Sequence, residues 1–276
     1  MLIRAAACLC LICATLKADP LALSDGEAMT FRVGWGIFIH AGEIAISAHK
    51  ETDKLEPRLH VTTTTATRGF LGSFFPFEAK GESWFDLGSG RLLSSTEESR
   101  SKKKQTRQSL TFDYAKRKAA YVNEVRPDRS KELELPAGNP MDLIMSLVQT
   151  RTWQLKPGEK QDALVIFDDD FYELTIYADA YEEVRTPMGK FKTLRLTPRM
   201  EKTEPKGMFK RGSAVHVWIS QDGKNLPVKF EVEFKFGSGV ATLIDHQIKP
   251  APEPNNSGAA AADISIPVQN ASNPGS

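Results

Sequence analysis

From Phe31 onward, apolar side chains occupy every second position: Phe31, Val33, Trp35, Ile37 and Ile39 alternate with Arg32, Gly34, Gly36, Phe38 and His40. Period two is the pattern of a strand that buries one face. Gly42 opens a second run, in which Ile44, Ile46 and Ala48 alternate with Glu43, Ala45, Ser47 and His49, so the spacing predicts a hairpin around His40 to Gly42. The most regular run comes late. Val228, Phe230, Val232, Phe234 and Phe236 alternate with Lys229, Glu231, Glu233 and Lys235, as expected of an antiparallel sheet with one dry and one wet face. Weaker runs fall at Leu59 to Arg68, Glu82 to Asp86, Arg91 to Ser99, Gln108 to Asp113, Ala119 to Val125, Ala163 to Phe167, Glu173 to Ala178, Lys190 to Thr197 and Ala214 to Ser220. That makes about a dozen strands, punctuated by turn signals such as Gly88-Ser89-Gly90, Asp222-Gly223 and Gly237-Ser238-Gly239.

One segment breaks the meander. Asn139 as cap, Pro140 in the first turn, and Met141, Ile144, Leu147 and Val148 at helical spacing predict a short helix over about 140–151. The expected fold is mainly β: a single-domain curled antiparallel sheet or up-and-down barrel-like meander, whose one helix buries its apolar stripe in the open side of the curl. Residues 28–248 form this domain, preceded by a lead over 19–27.

The two ends read differently. Arg4, an apolar run from Ala5 to Leu16 and then Lys17-Ala18-Asp19-Pro20 have the form of a secretory signal peptide over 1–18, too short to span a bilayer core. Cys8, Cys10 and Cys13 all lie in that run, so the mature chain has no thiol for a disulfide, a zinc site or a nucleophile. None of the three combines a small preceding residue with a full apolar core, which argues against a lipoprotein. The expected location is the periplasm, with no transmembrane segment in the mature chain. Residues 249–276, rich in Pro, Ala, Asn, Ser and Gly without an aromatic, read as a disordered tail.

Charge narrows the partners. The whole chain holds 36 basic and 35 acidic side chains, and removal of Arg4 and Lys17 with the leader leaves one net negative charge. Nucleic acid is not an expected partner, because phosphate binding needs a focused cationic excess. The one basic cluster is Lys102-Lys103-Lys104 with Arg107, a solvated hairpin tip or a patch for anionic headgroups or acidic glycans.

Catalytic signatures are sparse. His40, His49, His60, His216 and His246 occur singly, without the spacing that puts two imidazoles on one metal. Asp168-Asp169-Asp170 with Glu173 lacks the glycine spacing of a calcium loop and reads as a solvated turn. There is no G-x-S-x-G elbow, phosphate loop or dinucleotide fingerprint. No metal and no cofactor is expected. A carboxylate pair leaves no short signature, and Glu43, Glu78, Glu82, Glu97 and Glu98 are the acids that a barrel mouth would bring together.

Several motifs recur as an ordered set: Trp35-Gly36-Ile37 with Ala41-Gly42-Glu43; Asp142 through Ser146 to Arg151 with Leu155-Lys156-Pro157-Gly158; Thr186-Pro187-Met188-Gly189-Lys190-Phe191-Lys192-Thr193; and Val217-Trp218-Ile219-Ser220-Gln221-Asp222 with Leu226-Pro227-Val228. Over about residues 28 to 248 this set resembles the uncharacterised bacterial envelope family known as domain of unknown function 3108. The helix departs from the family pattern: the proline precedes the acid in Pro140-Met141-Asp142, and Val148-Gln149 stands where aromatics are usual. The resemblance implies an exported, β-rich domain and supplies no catalytic residue.

The expected function is that of a noncatalytic envelope protein, binding or carrying an apolar or amphipathic ligand (lipid, lipid-linked glycan or peptide) inside the curled sheet. A structural or assembly role with an envelope protein partner is the second class, and a carboxylate-based hydrolase the third. The family-like set Trp35, Asp142, Arg151 and Trp218 supplies the candidate ligand-binding residues.

Overall fold

A computed structural model of the chain describes residues 20–52, 56–205, 209, 213–234 and 237–249. The leader over 1–18 and nearly all of the tail lie outside the described residues. The first strands are β1 (Glu27–Trp35), β2 (Phe38–Glu51) and β3 (Arg58–Thr67), followed by the short helix α1 (Gly69–Phe74). Next come β4 (Phe77–Asp86), β5 (Leu92–Ser101), β6 (Gln105–Asp113), β7 (Lys118–Asn123) and β8 (Lys131–Glu134). A two-residue β9 (Met141–Asp142) leads into α2 (Leu143–Gln149). The chain returns through β10 (Lys160–Phe167), β11 (Asp170–Thr186), β12 (Gly189–Arg199), β13 (Ala214–Ser220), β14 (Pro227–Phe234) and β15 (Gly237–Ile248).

Among the described residues all fifteen strands belong to one sheet, ordered β8-β7-β6-β5-β4-β3-β2-β1-β15-β14-β13-β12-β11-β10-β9. Every pairing is antiparallel except β9 with β10. Curling follows from this order. The edge strands β8 and β9 are joined only by residues 135–140, a connection that reaches about 25 Å at full extension. Laid flat at about 4.8 Å per strand, the sheet would hold those edges roughly 65–70 Å apart. It therefore rolls up until the edges approach. Lys131 of β8 meets Asp169 of the β10–β11 turn at 2.8 Å, and Ser83 of β4 reaches Asp142 of β9 at 2.9 Å. β8 and β9 are not paired with each other, so the seam stays open.

The roll is filled on the inside. One core cluster joins Met29, Phe31, Ile46, Leu59, Val61, Phe85 and Leu92 from β1 to β5; a second joins Val165, Leu174, Ile176, Leu194, Leu196, Val217 and Ile219 from β10 to β13. α2 bridges them, with Met145 and Val148 in the first and Leu147 in the second. This is the expected helix within the curl. Residues 20–27 pack onto this core: Ala22 and Leu23 are buried in the first cluster and Ala22 N–H donates to Gln149 Oε1 at 3.0 Å.

Three local expectations need correction. The first hairpin turns at Gly36-Ile37, with Trp35 opposite Phe38 and Gly36 at φ +54, rather than at His40 to Gly42. The period-two pattern ran straight through the turn because Ile37 and Ile39 are apolar yet 88% and 77% exposed. Second, Asp142 caps α2, accepting Met145 N–H at 2.8 Å. Asn139 and Pro140 precede the helix, as Met141 is extended against Val165, and Asn139 Oδ1 accepts from Arg91. Third, Gly237–Gly239 belong to β15, opposite Phe234, Glu233 and Val232. The approach at Gly239 is close: a Cβ there would lie 3.1 Å from the Trp35 ring. The 186–189 turn is as expected, with Thr186 opposite Gly189 at φ +132. α1 had no counterpart in the sequence pattern.

Candidate functional site

Side-chain size along the inner face decides where the roll is packed and where it is hollow. Toward one end the face carries Leu59, Val61, Phe85, Leu92, Leu110 and Phe112, which fill it. Toward the other end the same rows continue as Thr63 and Thr65 on β3, Ala79 and Gly81 on β4, and Glu97 on β5. These residues are too small or too polar to close the space. A cavity of about 400 Å³ results, lined also by Phe77, Ser83, Ser95, Gln108, Leu110, Ile166, Phe167, Asp168 and the start of α2 at Asp142, Leu143 and Ile144. Gly81 contributes most directly: a Cβ placed on it meets nothing closer than Thr96 O at 4.0 Å.

The wall is mostly apolar, with a concentrated acidic spot. Glu97 sits opposite Gly81 and Gln108 on the cavity wall, where it is open to solvent on one side and covered by the sheet and α2 on the other. Enclosure raises its pKa, and the nearby Asp168 and Asp142 carboxylates raise it further against the bond from Gln108. Gln108 Nε2 donates to Glu97 Oε2 at 3.3 Å and to Asp168 Oδ1 at 3.0 Å. Tyr121 OH in turn donates to Gln108 Oε1 at 2.9 Å, and Asn123 Nδ2 donates to Tyr121 OH at 3.0 Å. This relay orients the amide so that its NH₂ faces the acids. Asp142 is also raised by burial, which outweighs the bonds it accepts from Met145 N–H and the Ser83 hydroxyl. An acceptor-rich spot in an apolar wall recognises a hydroxyl or ammonium group on an otherwise apolar molecule.

The four sequence candidates do not converge. Asp142 alone lines the cavity. Arg151 donates from Nη1 to Glu27 at 2.8 Å, from Nε to the Asn225 carbonyl and from Nη2 to the Lys224 carbonyl, both at 3.1 Å. Trp218 points away from Val217 and Ile219, to the other side of the sheet, where its Nε1 donates to Glu182 at 2.9 Å and Lys229 Nζ lies 4.0 Å over its ring. Trp35 ends β1 at the hairpin tip. In the basic cluster, Lys102, Lys103 and Lys104 form the exposed β5–β6 turn, while Arg107 is paired with Glu98 at 3.1 Å and Glu124 at 3.6 Å.

Nor do the five glutamates meet in a mouth. Strand alternation sends only Glu97 inward. Glu43, Glu82 and Glu98 face out, toward Arg68, Lys80 and Arg107, and Glu78 shares the outward parity of Glu82. On the outer face His60 stacks on Trp84 at 4.5 Å, its ring nitrogens 3.5 Å from Glu51 and 3.2 Å from Glu82. Among the described residues no group of three or more His, Cys, Asp or Glu side chains is placed to hold a metal ion, and no helix is long and apolar enough to cross a membrane.

The sequence reading missed Gly81, Gln108 and the inward role of Asp168. Its β4 began at Glu82, three positions short of Ala79. The alternation Phe77, Ala79, Gly81, Ser83, Phe85 was present, but small residues carry little hydrophobic signal.

A rolled, mainly β sheet with a helix inside it and a hollow at one end defines a barrel-like domain. The sequence profile of the family described as "Protein of unknown function (DUF3108)" matches residues 30–244, and the chain belongs to that family. No curated protein matches. The fold is similar to the crystal structure of a beta-barrel-like protein of domain of unknown function DUF1849 from Brucella abortus, at TM-score 0.53 and 8% identity, covering 81% of this chain and 97% of that one. A protein described as exported, with a YmcC-like fold, from Bacteroides fragilis aligns at TM-score 0.32 and 11% identity, over 83% of this chain and 99% of that one. A protein described as a lipoprotein, from Parabacteroides distasonis, gives TM-score 0.31 and 9% identity, over 83% and 97%.

Proposed function

We propose that the chain is an exported, noncatalytic binding module of the bacterial envelope, holding an amphipathic ligand in the hollow end of the rolled sheet. The observation that carries this reading is the cavity itself. At about 400 Å³ it lies in the size range of small-molecule sites, roughly 300–1,000 Å³, with an apolar wall and few polar groups. Its polar spot, Glu97, Gln108 and Asp168, favours a ligand that donates hydrogen bonds: a hydroxylated or amine-bearing lipid, a lipid-linked sugar or a short peptide. The leader-like run from Ala5 to Leu16 supports export.

The raised carboxyl of Glu97 is what favours the hydrolase reading. That reading is the weaker one, because both carboxylates beside Glu97 are engaged: Asp168 accepts from Gln108, and Asp142 has one oxygen on Met145 N–H and the other on the Ser83 hydroxyl. A carboxylate held by a helix cap and a neighbouring strand is poorly suited to act as nucleophile or base.

Native mass spectrometry of the protein, purified from the periplasm without detergent, tests the proposal. It predicts a stoichiometric adduct that organic extraction removes. A clean apo mass, unchanged after incubation with envelope lipid extract, would sink it.

A further inference from the structure

The strongest unexplained feature is a band of exposed apolar side chains at one end of the roll. At the β1–β2 tip Ile37 and Ile39 stand in water, and Phe38 stacks against Phe70 of α1 at 6.3 Å. Phe70 packs on Phe74 at 4.6 Å, and Phe75, which follows, is 70% exposed. Helix α1 has no buried residue. The segment that follows it is pinned by Thr67 at the end of β3, whose Oγ1 accepts from Phe77 N–H at 2.9 Å and donates to Phe75 O at 3.0 Å. A fold that spends a helix on presenting phenylalanines to solvent has put them there for a partner.

The same end carries the lysines. Phe77 stands opposite Ser101 in the β4–β5 register, so the Lys102-Lys103-Lys104 turn lies one strand from the aromatic band. Of the acidic side chains at this end, those on the outer surface at Glu43, Glu124, Asp128 and Asp169 are paired with Arg68, Arg107, Arg126 and Lys131, while Glu97 and Asp168 face the cavity. Among the described residues Lys102, Lys103 and Lys104 form no ion pair.

We infer that this end docks on an anionic membrane surface, the β1–β2 tip and α1 entering the headgroup region while the three lysines face lipid phosphates. Charge complementarity selects this occupant. A polybasic patch beside aromatic and aliphatic anchors supplies the two signals that stable interfacial binding needs, whereas three uncompensated lysines would oppose self-association through this patch. Phe77 belongs to both the band and the cavity wall, so docking would hold the cavity near the bilayer. The inference stands apart from the binding proposal, since vesicle docking with an empty cavity would leave it intact.

Vesicle flotation with the purified chain tests it, using phosphatidylglycerol–phosphatidylethanolamine and pure phosphatidylcholine vesicles, with Trp35 emission as a second readout. Flotation with the anionic vesicles, weakened by salt and accompanied by a blue shift lost in Trp35→Phe, is the expected result. The pair Phe70→Ser with Phe74→Ser should cut partitioning by about 100-fold. Replacing the three lysines by Gln should cut it by a similar factor, about fivefold per lysine. Circular dichroism unchanged from wild type verifies that both variants fold. No flotation with anionic vesicles, or flotation indifferent to both variants, would overturn the inference. So would a dimer in sedimentation that the phenylalanine variant splits while vesicle binding persists, which would assign the face to a second copy.

Discussion

Replacing Arg151 by Met tests how the strand β1, the helix segment and the β13–β14 loop are tied together. Glu27 is 2% exposed and Arg151 10%, so the ion pair between them is shielded from water. Met preserves the apolar stem and removes the cation, leaving a carboxylate in the core. Breaking a buried pair from one side costs about 3–5 kcal/mol. Ser24 N–H and His246 Nε2, each 3.0 Å from the Glu27 carboxylate, remain and hold the cost in the lower half of that range. At about 2–4 °C per kcal/mol for a domain of this size, Tm should fall by roughly 6–15 °C. Thermal unfolding followed by circular dichroism reads this directly. The pH dependence gives a second check. Burial raises the Glu27 carboxyl, but the bonds from Ser24, Arg151 and His246 outweigh it and the net shift is downward. The native state therefore binds that proton less readily than the unfolded chain. Its contribution is complete above the unfolded-state value and is lost as pH falls through the folded one. In the variant the carboxyl is no longer held down, so the gap between variant and wild type should narrow on acidification from neutral pH to about pH 4. A Tm within 2 °C of wild type at neutral pH, or a gap that widens in acid, would refute the reasoning.

Two further outcomes follow from the way α2 is set inside the roll. The Asp142 carboxyl is raised by burial, so its ionisation is resisted by the fold, and the stability linked to it is present below the unfolded-state value and lost as pH rises through the folded one. Asp142→Asn should accordingly remove that loss of stability on raising the pH while keeping the cap, whereas Asp142→Ala should lose about 1 kcal/mol through the uncapped Met145 N–H, both read by unfolding across pH. Met145→Ala, at a fully buried contact between helix and sheet, should cost about 2–5 kcal/mol in denaturant unfolding.

Much of this architecture is visible in side-chain alternation, because each strand buries one face against the same interior. The runs at Leu59, Ala214 and Val228 point to strands for that reason. What alternation hides is where its apolar positions end up. Ile37 and Ile39 continue the rhythm of Phe31 and Val33, yet a turn at Gly36 carries them into solvent, so an interaction surface looked like core. The cavity is hidden for the opposite reason. Its wall at Thr63, Ala79, Gly81 and Glu97 is marked by small and polar residues on an inward parity, and only the β3–β4–β5 register brings them side by side. Arg151 and Trp218 stand out in sequence because they hold the fold: one neutralises Glu27, the other is pinned by Glu182 and Lys229.

The account rests on the hollow end of the roll as a ligand site, and Gly81→Leu addresses that most directly. The backbone at Gly81 is extended within β4 and its missing side chain would project into open space, so Leu fills the cavity without strain and leaves stability unchanged or raised by up to about 1 kcal/mol. Equilibrium titration with a dansylated alkylamine, whose ammonium suits Glu97 and Asp168, should give saturable one-site binding to the wild type. The account predicts that Gly81→Leu, with Tm maintained, weakens that binding by more than about tenfold. Equal affinity in the filled variant, or no saturable binding to the wild type, would contradict it.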